Sequence, residues 1–253
     1  MKIVTWNVNS IRARHDNVTR WLKAHNPDVV LLQELKCTED KVPYNEYEEL
    51  GYNMAVFGQQ AYNGVSVFSK LPIGDVHKGI NHFDDDQARY IEAEINGIIF
   101  ISVYVPNGQD VTSDKFEYKL KFYDKLHARL KSLIEQNVPF VIGGDFNVAL
   151  REEDVYDPKS YEGRVSFTTI ERQKLNAILG LGLTDAQYDS GHKNYTWWDY
   201  RTRGFETGKG MRIDYIFTSP NLSHLQKETR VDIMERGQEK ASDHAPVECD
   251  LTI

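Results

Sequence analysis

The sequence Pro139-Phe140-Val141-Ile142-Gly143-Gly144-Asp145-Phe146-Asn147 joins a short apolar run to a polar turn. Pro139 to Ile142 predicts a buried β-strand, because the run is short, apolar and bounded by proline and glycine. The next five residues predict a loop that carries an acid and an amide. A buried strand followed directly by polar side chains indicates a functional edge of a sheet.

Other elements are predicted on both sides of this strand. Apolar residues recur every three or four positions from Phe116 to Ile134, which predicts the longest helix, and residues 11–25 and 170–179 predict two more. Residues 148–168 lack periodicity and predict a long loop. Short β-rich runs predict strands at residues 2–6, 29–32, 65–68, 91–95, 98–105, 195–198, 212–218, 229–233 and 245–251. We expect an α/β sandwich, in which two sheets pack face to face with helices outside.

Composition limits the class of protein. The chain has 253 residues, 40% of them hydrophobic, which suits a single catalytic domain over residues 1–253. Its net charge of −8 argues against coating nucleic acid by charge alone, so any DNA binding must be local. Cys37 and Cys249 have neither metal-site spacing nor the density of a disulfide scaffold. No apolar run resembles a secretory signal or a membrane span, so we expect a cytoplasmic protein with no membrane partner.

Polar side chains follow apolar runs at four places. For any one of them, an Asn or Asp that caps a turn is the commoner explanation, so the argument rests on their conjunction. The four segments are Trp6-Asn7-Val8-Asn9, Leu32-Gln33-Glu34, Gly144-Asp145-Phe146-Asn147 and Ser242-Asp243-His244.

Asp214 differs because it lies inside a predicted strand. A buried carboxylate needs a cation or hydrogen bonds to offset the cost of its burial. We expect His244 to be its partner, and the carboxylate should raise the pKa of that imidazole and favour a protonated ring that binds a phosphate oxygen.

Together these residues suit the hydrolysis of a phosphodiester. The reaction needs a hard cation, an activated water and a stabilised leaving oxygen. Oxygen ligands at Glu34, Asp243 and Asn9, without a cysteine cluster, favour Mg²⁺ or Mn²⁺ over Zn²⁺. Asp145 is the expected general base, and we expect the amides of Asn7 and Asn147 to orient the water and to donate to developing negative charge.

Aromatic and basic residues alternate in the segment 194–214. Trp197, Trp198 and Tyr200 lie among Arg201, Arg203, Lys209 and Arg212, a mixture that suits nucleic acid. The alternative is that the two tryptophans belong to the core and that the cations belong to a solvated hairpin.

The segments WNVN, LLQELK, VYVPNG, IGGDFN, WWDYRTRGF, MRIDY and SDHAPV, between residues 5 and 247, resemble the signatures of the exonuclease III family of DNA-repair nucleases. This resemblance implies a four-layered α/β sandwich with two mainly antiparallel sheets. It also implies catalytic roles for Asn7, Tyr104, Asp145, Asn147, Asp214 and His244. The metal would involve Glu34, Asn7, Asn9, Asp145, Asn147, Asp243 and His244. The resemblance leaves the general base open among Asp145, Tyr104 and His244, of which we favour Asp145.

The resemblance further implies a substrate surface. Trp197, Met211 and Ile213 occupy the positions of an apolar slot for a base-free sugar, which would select damage by shape. DNA contacts are expected from Arg89, Asn107, Lys115 and Arg201. Some family members have Trp or Leu in place of Met211 and Asp in place of Asn9, which leaves open the shape of the slot and direct metal binding by Asn9.

The implied function is that of a Mg²⁺-dependent phosphodiesterase of base excision repair. It would cut duplex DNA 5′ to an abasic site to leave a 3′-OH, with 3′-to-5′ exonuclease and 3′-phosphatase activity at blocked or recessed 3′ ends, and would act as a monomer. One alternative is a 3′-end processing enzyme with little abasic-site activity. The others are a phosphatase acting on inositol phosphates or phospholipids, and a non-catalytic DNA-binding or scaffold module.

Overall fold

The computed structural model describes residues 1–186 and 194–252. Its helices are α1 (His15–His25), α2 (Tyr44–Glu49), α3 (Asp114–Glu135), α4 (Pro158–Tyr161), α5 (Thr169–Leu179) and α6 (Ile233–Arg236). Its strands are β1 (Lys2–Asn7), β2 (Val29–Gln33), β3 (Asn53–Phe57), β4 (Val65–Ser69), β5 (Val76–Lys78), β6 (Tyr90–Ile95), β7 (Ile98–Tyr104), β8 (Phe140–Asp145), β9 (Thr184–Asp185), β10 (Trp197–Trp198), β11 (Gly210–Met211), β12 (Asp214–Thr218), β13 (Gln226–Val231) and β14 (Val247–Leu251). None of the helices in these two ranges combines the length and apolar character that a membrane crossing requires.

The strands form two six-stranded sheets. The first has the order β13-β14-β1-β2-β4-β3 and the second the order β5-β6-β7-β8-β12-β9. Each sheet has one parallel pair at its centre, β1 with β2 and β7 with β8, flanked by antiparallel pairs. The carboxyl ends of two parallel strands lie at the same edge of a sheet. Both parallel pairs therefore deliver the polar residues that follow them to a sheet edge.

The two sheets pack face to face with helices outside. Leu31 and Val67 of the first sheet share an apolar cluster with Phe100, Val141 and Ile216 of the second. The amphipathic helix α1 covers the outer face of the first sheet, and α3 and α5 cover the outer face of the second. The four-layered α/β sandwich with mainly antiparallel sheets is confirmed.

Strand β8 is longer than the apolar run that predicts it. Gly143, Gly144 and Asp145 were expected in a loop, but they continue the strand and pair with β7 and β12. Asp214, expected inside a strand, is instead the first residue of β12 and lies opposite Asp145. Because Gly143 and Gly144 have no side chains, the apolar pattern stops before the strand does. A larger residue at either position would collide with Leu31 or Val103.

Two further strands differ from the prediction. The strand expected at residues 229–233 ends at Val231, because the side chain of Asp232 accepts hydrogen bonds from the amides of Met234 and Glu235 and begins α6. The strand expected at residues 195–198 keeps only Trp197 and Trp198, which pair with β11 in a separate two-stranded sheet.

The predicted loop 148–168 contains a 3₁₀ turn and α4, which are too short to show a helical period. Helix α1 begins at His15 rather than at residue 11. The strands β3, β5 and β9 were not predicted. All three lie at sheet edges or are very short, and β5 is exposed along its whole length.

Gly144 marks the tightest approach between β7 and β8. A methyl group there would overlap the carbonyl oxygen of Val103, a backbone atom that cannot move aside. We expect Gly144→Ala to lower the free energy of unfolding by about 3 kcal/mol or more, measured by urea denaturation.

Gly74→Ala is the matched control, because the nearest atom to its new methyl group is 3.6 Å away. Its free energy of unfolding should change by less than about 1 kcal/mol. Equal stability of the two variants would contradict the tight approach at Gly144.

Candidate active site

The parallel pairs bring two carboxylates together between the sheets. Glu34 follows β2 in the first sheet and Asp145 ends β8 in the second. The side-chain amide of Asn7 at the end of β1 donates to both, at 2.9 Å to Glu34 Oε1 and 2.9 Å to Asp145 Oδ2. Both amide hydrogens of Asn7 are thus used by the protein. We expected Asn7 to donate to the substrate, but in this structure it positions the two carboxylates.

The turn after β8 is held on every side. The backbone N–H of Asn147 donates to Asp145 Oδ1 at 2.9 Å, and the residue has a left-handed backbone with φ of 52°. Its side-chain Nδ2 donates to the carbonyl of Val105, while its Oδ1 accepts from Asn107 Nδ2 at 3.0 Å. Asn is among the residues that adopt this conformation most readily. The geometry fixes the side chain of Asn147 beside Asp145.

His244 is the predicted partner of Asp214. Its Nδ1 lies 2.8 Å from Asp214 Oδ2, and its Nε2 lies 3.7 Å from Asp145 Oδ2. The hydroxyl of Thr196 donates to the same Asp214 oxygen at 2.6 Å and accepts from the amide of Asp214. The pairing of Asp214 with His244 is confirmed, and Thr196 orients the carboxylate.

The carboxylates and the imidazole shift one another's pKa. Burial raises the pKa of Asp145 to about 7; the charge of His244 opposes this rise, whereas those of Asp214 and Glu34 add to it. Burial alone would lower the pKa of His244, but the charges of Asp214 and Asp145 outweigh it and raise that pKa to about 10. The imidazole is therefore protonated at neutral pH, as the sequence predicts.

Glu34, Asp145 and His244 form a cluster that could hold a metal. Each offers a ligand atom, and these atoms all lie within 4.8 Å of one another. The two carboxylates suit a hard divalent cation. Because Nδ1 of His244 is engaged by Asp214, the oxygens of Glu34 and Asp145 are the principal candidates. The residues present fit a divalent metal.

Asn9 and Asp243 are engaged by other side chains. Asp243 accepts from Asn9 Nδ2 at 2.9 Å and from Trp197 Nε1 at 3.0 Å, so both of its oxygens are engaged. Lys36 bridges Asn9 Oδ1 at 2.5 Å and Glu34 Oε2 at 2.8 Å. Of the residues expected at the metal, the structure brings Glu34, Asp145 and His244 together, and metal binding by Asn9 and Asp243 stays a prediction.

A cleft of about 490 Å³ opens beside Glu34 and Tyr104. Burial and the charges of Glu34 and Asp145 raise the pKa of the Tyr104 phenol, which stays neutral near pH 7. The guanidinium of Arg89 lies over the Tyr104 ring, 4.7 Å from its centroid. The predicted DNA contacts Arg89, Asn107 and Lys115 all line this cleft.

The predicted apolar slot is assembled but largely covered. Met211 and Ile213 are only 2% and 4% exposed, in a cluster with Val155 and Phe167 from the neighbouring loop. Trp197 packs against this cluster and stays half-buried. Trp198 is a core residue, as the second alternative expects, whereas contact of Trp197 with nucleic acid stays a prediction. Arg201 is fully exposed on the hairpin that follows β10.

Three residues that contact the site were not predicted. Thr196 orients Asp214, Lys36 contacts Glu34, and Lys119 is buried beneath the turn after β8. Lys36 lies in the LLQELK segment, which was a signal for it. Thr196 and Lys119 left no signal, because a threonine beside tryptophans and a lysine within an amphipathic helix are ordinary.

The Asp214 carboxylate is expected to sustain the high pKa of His244. In metal-free protein, Asp214→Asn should lower that pKa from about 10 towards its ordinary value of about 6.5, measured by NMR titration of the ring nitrogens. A raised pKa stabilises the fold below about pH 6.5, and this contribution is lost as the pH rises through about 10. The stability of the variant should therefore fall less over that range.

Asp124→Asn is the control, because Asp124 is an exposed carboxylate paired with Lys174. It should leave the pKa of His244 at about 10. An unchanged pKa in Asp214→Asn would show that this contact does not govern the imidazole.

Comparison with known proteins agrees with this geometry. The model of the endonuclease/exonuclease/phosphatase family matches residues 4–244. An exodeoxyribonuclease from Bacillus subtilis is 32% identical over 260 residues, covering 100% of both chains. A Neisseria 3′ phosphatase bound to a product DNA hairpin has a TM-score of 0.97 and 38% identity, again with 100% coverage of both chains. An AP endonuclease from Archaeoglobus fulgidus has a TM-score of 0.96 and 35% identity, with the same coverage.

These matches extend over the whole chain and include every strand that carries the site. They confirm the expectation of a hydrolase of the nuclease class. The chain belongs to the endonuclease/exonuclease/phosphatase family and, within it, to the exonuclease III family of DNA-repair nucleases.

Proposed function

We propose that the chain is a Mg²⁺-dependent DNA phosphodiesterase that cuts duplex DNA 5′ to an abasic site, leaving a 3′-OH. Trimming in the 3′-to-5′ direction and removal of 3′-phosphates would use the same centre. One observation carries the proposal: Glu34, Asp145 and His244 converge within 4.8 Å beside a cleft that contains Arg89 and Lys115. A cation site next to a basic cleft suits a phosphodiester whose backbone continues beyond the reacting phosphate.

The proposed substrate also draws on the relatives. Those described above are named as an exodeoxyribonuclease, a 3′ phosphatase and an AP endonuclease, and one of them is bound to a DNA hairpin. All three activities hydrolyse a phosphate ester at or beside a deoxyribose. Duplex DNA with abasic sites or blocked or recessed 3′ ends is therefore the proposed partner.

The site residues would supply metal binding, base catalysis and substrate contact in the proposed mechanism. Glu34 and Asp145 would hold the metal, which when bound neutralises charge on a non-bridging phosphate oxygen. Asp145 is the proposed general base, and its orientation is fixed by Asn7 and by the amide of Asn147. His244 directs Nε2 towards the same space and can donate to a phosphate oxygen. Tyr104 and Arg89 stand at the mouth of the cleft to contact the substrate backbone.

One observation favours the second candidate, a 3′-end processing enzyme with little abasic-site activity. Met211 and Ile213 are almost completely covered by the loop that carries Val155 and Phe167. A base-free sugar inside a duplex must be flipped out to reach an apolar slot. A covered slot would therefore disfavour nicking at internal sites more than trimming at ends.

Cleavage of two end-labelled duplexes separates the candidates. One duplex carries an internal abasic-site analogue and the other only a recessed 3′ end, each with Mg²⁺, Mn²⁺ or EDTA. Nicking at the analogue with either metal, and not with EDTA, is the expected result. Trimming of the recessed end alone would support the second candidate, and no cleavage of either duplex would refute both.

Two substitutions test the assigned roles. Asp145→Asn should lower kcat by about 10²- to 10⁴-fold while DNA affinity persists, because general-base catalysis contributes gains of this size.

Glu34→Ala should raise the Mg²⁺ concentration for half-maximal activity about tenfold or more, because it removes a principal ligand. Both effects are measured by single-turnover cleavage across a Mg²⁺ titration.

Asp124→Asn serves as the control, because this exposed carboxylate lies outside the metal cluster. It should leave both kcat and the Mg²⁺ requirement unchanged. Normal turnover by Asp145→Asn would remove Asp145 as the base, and a normal Mg²⁺ requirement in Glu34→Ala would remove Glu34 as a ligand.

A further inference from the structure

Lys119 is a fully buried lysine on the inner face of α3. Its ammonium donates to the carbonyl of Asn147 at 2.8 Å, to the carbonyl of Asn107 at 3.0 Å and to the carboxylate of Glu171. An ammonium has three hydrogens, and here each one has an acceptor. Lys119 thus joins three separate segments of the chain at one point.

Two of those segments are the turns that follow the central parallel strands of the second sheet. Asn107 lies after β7 and Asn147 after β8, and their side chains are hydrogen-bonded to each other. The left-handed backbone of Asn147 turns its carbonyl towards the interior, where a buried carbonyl needs a donor. Lys119 supplies that donor and ties the two turns together.

Tyr123 extends the same contact one helical turn along α3. Its buried hydroxyl donates to the carbonyl of Phe146 at 2.6 Å. Side chains four residues apart lie on one face of a helix. Lys119 and Tyr123 therefore hold two consecutive carbonyls, those of Asn147 and Phe146, directly after Asp145.

Stability alone gives weak grounds for a buried lysine at this position. Burial lowers the pKa of Lys119, and the carboxylate of Glu171 opposes this effect. A well-packed apolar pair often fills such a site with equal or greater stability. Glu171 already accepts from the backbone of Ser166 and from Thr168 at the start of α5. Glu171 therefore has donors other than Lys119, whereas the carbonyls of Asn107 and Asn147 receive their hydrogen bonds from Lys119.

We propose that Lys119, supported by Tyr123, is a positioning residue for hydrolysis. It acts on Asp145 and Asn147 through the backbone of the turn between β8 and the following loop. It touches neither the substrate nor the metal cluster. This proposal rests on the proposed function, because it assumes that Asp145 and Asn147 serve the reaction. A purely structural ion pair is the competing explanation.

The first test replaces both partners of the ion pair, so that no buried charge is left uncompensated. The double variant Lys119→Met with Glu171→Gln removes the donor to both carbonyls. The matched control is Arg129→Met with Glu92→Gln, a largely buried ion pair that joins α3 to β6 away from the cluster. Single-turnover kcat and KM are measured on the duplex that the wild-type chain cleaves, together with Tm.

We expect the Lys119 double variant to lose about 10- to 100-fold in kcat, with KM unchanged within about twofold. Losses of this size are typical when a residue that orients a metal ligand by hydrogen bonding is removed. The control should retain kcat. A loss of kcat no larger than that of the control would overturn the positioning role. Failure of the wild-type chain to cleave either duplex would refute the proposed function itself, so the two failures are distinguishable.

Tyr123→Phe gives a second test that removes one hydroxyl and leaves the fold intact. Its control is Tyr90→Phe, which removes an equally buried hydroxyl that donates to Glu92. Tyr123→Phe should lower kcat at unchanged KM, and Tyr90→Phe should not. If the Lys119 double variant does not fold, equal kcat in the two tyrosine variants overturns the proposal.

Discussion

The site depends on holding Glu34 and Asp145 close together although both are acids. Like charges in a partly buried space repel, and each carboxylate also loses hydration. The amide of Asn7 donates to both, Lys36 contacts Glu34, and the imidazole of His244 lies beside Asp145. A divalent cation at this point would satisfy the remaining oxygen lone pairs.

The sandwich makes this juxtaposition possible. Glu34 belongs to one sheet and Asp145 to the other, so their approach depends on how the sheets face each other. Gln33 helps to set that relation, because its buried amide donates to Thr5 in its own sheet and to Ser102 in the opposite one. Such a polar contact inside an apolar interface is satisfied in one register only. The candidate metal site of Glu34, Asp145 and His244 thus depends on how the two sheets pack against each other.

The sequence predicts the chemistry of the site better than its contacts. Strand ends followed by polar residues identify Asn7, Glu34 and Asp145, because hydrophobic runs place such residues at the edge of a sheet. His244 was expected to follow an apolar run, but it follows a turn and precedes β14. Asp214 was identified from the cost of burying an acid, and its partner follows from the same cost. Side-chain hydrogen bonds are a different matter. The sequence pattern does not indicate that the Asn7 side-chain amide donates both of its hydrogens to carboxylates, or that the Lys119 side chain points into the protein.

Several strands were also harder to predict. Strand β5 is exposed along its length and shows no alternation, and β8 continues through two glycines that have no side chain to read. The short strand β10 depends on tertiary pairing with β11 rather than on its own residues. In each case the structure is decided by contacts between segments distant in sequence, whereas local patterns report burial.

The same division separates the reaction from its specificity. Most side chains proposed for catalysis lie at or near the ends of paired strands, so the sheets largely fix their positions. Under the proposed function, substrate contacts would come from loops, among them residues 105–109 and the segment that covers Met211 and Ile213. Chains named for different activities superpose on this one with TM-scores of 0.96 and 0.97. Since chains of different named activity share the whole fold this closely, we infer that the proposed choice between an internal lesion and a 3′ end is made by side chains of those loops rather than by the sheets.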